Sequence, residues 1–91
     1  MFVVVCYDIE SNRKRTRLAK RLKDFGPRVQ RSVFEAEITT EEFRELKGIL
    51  TTVELRSSDS IRLYQICKEC RGKITIYGKG DHTQDEPYYI T

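Results

Sequence analysis

The stretch Phe2-Val3-Val4-Val5-Cys6-Tyr7 decides the fold. Its unbroken, β-branched apolar character predicts a strand buried on both faces, and such a strand lies in the interior of its sheet. Asp8-Ile9 ends the run. Ser11 and Asn12 then offer N-cap side chains, and a helix is predicted beyond them. Its apolar positions are Leu18, Leu22 and Phe25, spaced i, i+4, i+7, with Ala19 beside them and basic residues around the stripe. Gly26-Pro27 is expected to stop this helix, Gly as a left-handed cap and Pro because it cannot continue.

Residues 28–38 form a second extended run. Val29 and Val33 share one parity, whereas Phe34, Ala36 and Ile38 share the other. The apolar face changes near Ser32, which fits either one strand bent by a bulge or two short strands. Thr39 followed by Glu42 reads as a capping box, and a second helix carries Phe43, Leu46, Ile49, Leu50 and Val53 on one face. Arg56-Ser57-Ser58-Asp59-Ser60 reads as a polar loop. Strands are predicted at 61–67 and 73–77, joined by a turn around Gly72. Residues 78–86 read as a loop, and Pro87-Tyr88-Tyr89-Ile90 as a short terminal strand with Pro at an edge. Two amphipathic helices covering one face of one sheet make a two-layer sandwich. The first strand is apolar on its other face as well, so a second copy packed sheet against sheet is the expected cover.

The composition agrees with that expectation. The chain has 91 residues, 38% of them hydrophobic, with no Trp. One domain, 1–91, of this size buries only about 60% of its unfolded surface, and association strengthens such a core. No apolar run approaches the ~20 residues that span a bilayer. The N-terminus lacks a basic leader and Asp8 interrupts it early, so no membrane association and a cytoplasmic location are expected. Three cysteines are an odd number and too few for a disulfide scaffold, which fits a reducing compartment. Neither a dinucleotide fingerprint nor a P-loop is present, and the length excludes a cofactor domain joined to a substrate domain.

Charge is unevenly spread. The formal net charge is +3, yet residues 10–31 hold nine positives against two negatives, a net +7, leaving −4 for the remainder. Such a field suits a phosphate backbone, and it also suits a solvated helix face. Arg15, Arg17, Arg28 and Arg31 belong to this segment.

Asp8 ends the most buried strand just before the basic helix. A carboxylate there is either a turn residue or a functional one. A two-fold axis would bring two copies together, and paired carboxylates suit Mg²⁺ or Mn²⁺, which polarise phosphates and activate water. Glu10 is expected to face solvent. Cys67-Lys68-Glu69-Cys70 supplies half of the four ligands of a structural zinc. A redox pair at this spacing opens a helix, whereas this one is predicted in a hairpin and is expected to be inert. His82 reads as a solvated loop residue, and Tyr64, Tyr77, Tyr88 and Tyr89 as sheet or interface residues. The aromatic motif of RNA-recognition sheets is absent.

The segment Val4-Val5-Cys6-Tyr7-Asp8-Ile9, together with Gly26-Pro27-Arg28-Val29-Gln30-Arg31-Ser32-Val33-Phe34-Glu35, resembles the small CRISPR-associated adaptation subunit. This family is the second universal Cas protein, also called a CRISPR-associated endoribonuclease. The likeness extends over the whole chain in length and element order. It implies an α+β, ferredoxin-like sandwich with an antiparallel sheet, two helices on one face and a homodimer through the other. It implies that residues 87–91 add a strand to the partner subunit. The family's metal-binding aspartate matches Asp8, given by both subunits to one interfacial Mg²⁺. Its helix arginines match Arg15 and Arg17, its next arginine Arg28, and its serine and phenylalanine Ser32 and Phe34. Two activities follow from the resemblance: a metal-dependent endonuclease of RNA or duplex DNA, and a DNA-binding scaffold that bridges integrase subunits in antiviral spacer acquisition. A small RNA-binding regulator of the same fold is a third, more distant option.

Overall fold

In the computed structural model, residues 1–78 are described. The elements run β1 (Phe2–Asp8), α1 (Asn12–Leu22), β2 (Arg28–Gln30), β3 (Val33–Glu37), α2 (Thr40–Thr52), β4 (Ser60–Ile66) and α3 (Lys68–Arg71). The loop expected at 78–86 falls outside this range from residue 79 onward, as do His82 and the terminal strand expected at 87–90.

The sheet is antiparallel, with strand order β2-β3-β1-β4. β1 is interior, as its apolar run requires. Val5 sits opposite Phe34 on one side and Leu63 on the other, and Val3 sits opposite Ala36. Val3, Val5, Tyr7, Phe34 and Ala36 therefore share one face, and Leu18, Ala19 and Leu22 of α1 and Leu46 of α2 complete the core upon it. This is the ferredoxin-like two-layer arrangement.

Both helices start where their caps place them. The Ser11 side chain accepts the Lys14 N–H at 3.3 Å. Thr39 and Glu42 exchange two bonds, the Thr39 hydroxyl accepting the Glu42 N–H at 3.1 Å and the Glu42 carboxylate accepting the Thr39 N–H at 2.8 Å. Lys20 and Arg21 in the last turn of α1 complement its negative end.

Several expectations need correction. Residues 28–38 are two strands, with Arg31 and Ser32 in the turn between them and a register shift between Arg28 and Gln30. That shift accounts for the change of apolar face. Gly26 is no left-handed cap, because α1 ends earlier, at Leu22, with Lys23 as a right-handed C-cap. Its lack of a side chain matters for another reason: an added Cβ would lie 2.3 Å from the Glu35 carbonyl oxygen and 2.8 Å from the Ala36 Cβ. Residues 73–77 form no strand, and Tyr77 is 87% exposed. After β4 the chain instead winds into α3, where the Arg71 N–H bonds the Cys67 carbonyl at 2.9 Å and the Gly72 N–H bonds that of Lys68 at 3.3 Å. The cysteine pair thus opens a helical turn, not a hairpin.

α3 also covers part of the second sheet face. The Arg71 guanidinium stands 4.5 Å above the Phe2 ring and pairs with Glu37, whose other carboxylate oxygen takes the N-terminal ammonium at 2.6 Å. Phe2 is buried in consequence, whereas Val4 and Cys6 further along that face are only half-buried and Tyr64 of β4 is 46% exposed.

Gly26 and Gly48 provide a contrast that checks this packing. Gly26→Ala forces β3 to move and should lower stability by about 1–3 kcal/mol. Gly48→Ala lies inside α2 with open space around it, so it should raise stability by about 0.5–1 kcal/mol. Denaturant midpoints of the two variants test both signs.

Candidate nucleic-acid interface and strand-end carboxylate

Asp8 is the last residue of β1, paired with Ser60 of β4, and its side chain is exposed. Ile9 then dives into the core at 2% exposure. The turn that follows is fixed from two sides. From α1, Arg15 donates to the Ile9 carbonyl at 2.7 Å, the Glu10 carbonyl at 3.4 Å and Asn12 Oδ1 at 2.7 Å. From the loop before β4, Asp59 accepts the Arg56 and Glu10 N–H groups, each at 3.0 Å. The bond from Arg56, then that from Glu10, holds the Asp59 carboxyl below the usual carboxylate range. A third tie comes from the Ser32 carbonyl, which accepts the Tyr7 N–H at 3.1 Å.

Phe34 is a core residue at 3% exposure, its ring stacked 6.2 Å from that of Tyr7. Phe34 itself pairs with Val5, and Tyr7 is the chain neighbour of Asp8. Ser32 contributes a backbone carbonyl. The Tyr7 hydroxyl is buried. Burial raises its pKa, and the positive charges of Arg28 and Arg15 oppose that rise.

The predicted arginines divide into two sets. Arg15, Arg28 and Arg31 line one groove between α1 and β2, joined there by Lys20 and Lys23, with no acidic side chain among the lining residues. Arg17 lines a separate groove with Lys14 and Arg21 against the end of α2, where Lys14 Nζ donates to the Glu54 carbonyl at 2.9 Å. Helical positions two apart point in different directions, yet Arg17 also shares a surface of α1 with Asn12, Thr16 and Lys20, which line the first groove as well.

The donors for a metal are of the right kind but few. Asp8 offers hard carboxylate oxygens, which suit Mg²⁺ or Mn²⁺. Glu10 is exposed, as expected, and accepts the Ser58 hydroxyl at 3.3 Å, while Asp59 is occupied by backbone donors. No group of three or more potential ligands gathers among the described residues.

Two features of the site are not apparent from the sequence. Asp59 falls in a polar loop, where Asp is a ready acceptor for backbone N–H groups. Lys20 and Lys23 belong to the basic segment, but no local pattern aligns them with Arg28 and Arg31.

Among the described residues no helix is long and apolar enough to cross a membrane. Residues 1–74 match the family described as CRISPR associated protein Cas2. A relative from Chloroflexus aurantiacus named CRISPR-associated endoribonuclease Cas2 3 is 40% identical, over 99% of this chain and 97% of its own. A CRISPR-associated endoribonuclease Cas2 from Thermus thermophilus is 41% identical over the same shares. The structure of Streptococcus pyogenes Cas2 at pH 6.5 superposes with a TM-score of 0.73 at 35% identity, covering 86% of this chain and all of that one. A chain of a partial Cas6-RT-Cas1–Cas2 complex superposes with a TM-score of 0.70 at 26% identity, covering 82% of this chain and 88% of that one. With the strand order, the helix-capped core and the matched 1–74 segment in agreement, the chain belongs to the Cas2 family of CRISPR-associated proteins.

Proposed function

We propose that this chain is a nucleic-acid-binding subunit of CRISPR adaptation that acts as a homodimer, with a metal-dependent endonuclease centre built from Asp8 of both subunits. The observation that carries nucleic-acid binding is the groove between α1 and β2, where five cationic side chains meet and no acidic one enters. Phosphate contacts of that kind supply affinity without reading sequence.

Support for the dimer comes from the second sheet face. Val4 and Cys6 are half-buried and Tyr64 is exposed beside them. A second copy laid on this face would cover them and supply the second Asp8. The relative seen in a Cas1–Cas2 complex supports an integrase-type partner as well. The association with antiviral spacer acquisition rests on the same family membership.

In the enzyme reading, paired Asp8 carboxylates would hold Mg²⁺ or Mn²⁺, an ion that when bound neutralises phosphate charge and lowers the pKa of attacking water. The chain's own part is positional. Arg15 and Asp59 fix the turn behind Asp8, and Arg28 and Arg31 present donors to the phosphodiester backbone. A second reading, a scaffold that binds DNA and bridges integrase subunits with no chemistry at Asp8, is favoured by the absence, among the described residues, of any group of three or more potential metal ligands.

Asp8→Ala separates the two. It should reduce Mg²⁺- or Mn²⁺-dependent cleavage of RNA and duplex DNA by at least about 100-fold, on the scale of a lost catalytic group, while binding and dimerisation persist. Full cleavage by the variant overturns the endonuclease centre, and a wild-type chain inert with either ion leaves the scaffold reading in place. Arg28→Ala combined with Arg31→Ala should weaken DNA binding and flatten its salt slope by about 2, or about 1 per phosphate contact. An unchanged slope removes the groove from the interface. Light scattering at micromolar concentration should give twice the mass of one chain, and a single-chain mass defeats the dimer.

A further inference from the structure

Cys67 and Cys70 are left unused by the proposed function. They lie at the end of the sheet opposite Asp8, since Phe2 pairs with Ile66 while Asp8 pairs with Ser60. A seven-residue strand separates the two ends by about 20 Å. Both thiols are exposed and free. They share one helical turn, in which the Cys67 sulfur accepts the Cys70 N–H at 3.3 Å. Residues three apart in a helical turn have Cα atoms about 5 Å apart, within the ~4.4–6.8 Å that a disulfide bridges. Cys67 as the N-cap of α3 and Cys70 in its first turn therefore stand at a spacing compatible with a disulfide.

We propose that Cys67 and Cys70 form a redox-active dithiol that exchanges with low-molecular-weight disulfides. The Cys67 thiolate attacks one sulfur of the small disulfide. The S–S bond breaks, the first small thiolate leaves and takes up a proton, and a mixed disulfide remains on Cys67. Cys70 then loses its proton and attacks the Cys67 sulfur, releasing the second small thiol. The protein pair is oxidised by two electrons and the small disulfide is reduced to two thiols.

The two cysteines are not equivalent. The Cys70 N–H, then the Cys70 side chain, stabilises the Cys67 thiolate and lowers its pKa. Cys70 is pushed up by its side-chain hydrogen bond to Cys67 and by the charge on that neighbour. The thiolate is the attacking species, so Cys67 is the nucleophile and Cys70 the resolving residue.

Oxidation also has a structural consequence. A helix as short as α3 is marginal by itself, and its Arg71 covers Phe2 and pairs with Glu37. A Cys67–Cys70 bond closes the turn that carries Arg71 and tightens its hold on the Phe2 end of the sheet.

The test uses the full chain equilibrated in mixtures of oxidised and reduced glutathione. Free thiols are then alkylated, and peptides are mapped by mass spectrometry. The expected product lacks two hydrogens across Cys67 and Cys70, while Cys6 is alkylated. In Cys70→Ser, glutathione should accumulate on Cys67. In Cys67→Ser, Cys70 should take it up several-fold more slowly. Amide exchange at Arg71 and Gly72 should slow on oxidation of the native chain. The proposal is overturned if both cysteines remain alkylatable across the whole series, or if Cys70 takes up glutathione as fast as Cys67. Unchanged amide exchange overturns the stiffening of α3.

Discussion

β1 is hydrogen-bonded along both edges, to β3 and to β4, and the other elements take their places from that pairing. A strand held on both sides cannot slip by one residue without turning its whole apolar set to the wrong face. Val3, Val5 and Tyr7 therefore stay under the helices, and Phe2, Val4 and Cys6 stay on the second face. Pairing with β3 ends at Cys6, whereas pairing with β4 continues to the last residue of the strand, Asp8 opposite Ser60. Asp8 is thus an exposed carboxylate whose backbone is held by β4.

The two ends of β1 are built differently. At the Phe2 end, charges neutralise one another: Glu37 takes both the N-terminal ammonium and Arg71. At the Asp8 end, positive charge accumulates in the groove between α1 and β2. Arg15 bridges structure and function there, since its guanidinium spans backbone carbonyls of the turn after Asp8 and also lines the basic groove. A charge that serves the backbone in this way is preorganised, and preorganisation lowers the entropic cost of binding an anion. The buried hydroxyl of Tyr7 lies under the influence of two arginines of this groove, Arg28 and Arg15.

Much of the fold was legible in the residues. β1, the caps at Ser11 and Thr39, the stripes through Leu18 and Leu22 and through Leu46, and the two-layer arrangement all follow from patterns within a few positions of one another. The segment Arg28 to Glu35, with Asp8, carried the family likeness in a short run of specific residue types. Less of the candidate site was legible. Arg15, Arg28 and Arg31 meet in one groove, whereas Arg17 lies in another, and Asp59 approaches the Asp8 turn from across the sheet.

The amino-acid sequence by itself determined the interior strand, both helix starts, the core stripes and the concentration of positive charge before residue 32. These depend on local periodicity and on caps, which act over one helical turn or one strand pleat. Only the tertiary structure decided that residues 28–38 form two strands, that Gly26 is needed for close approach to β3, that α3 stands where a hairpin was expected, and which cations face one another. Those outcomes rest on contacts between residues distant in the chain, such as Gly26 against Glu35 and Ala36, or Arg71 against Phe2 and Glu37. No local pattern encodes such contacts, because they exist only once the sheet has brought its edges and ends together.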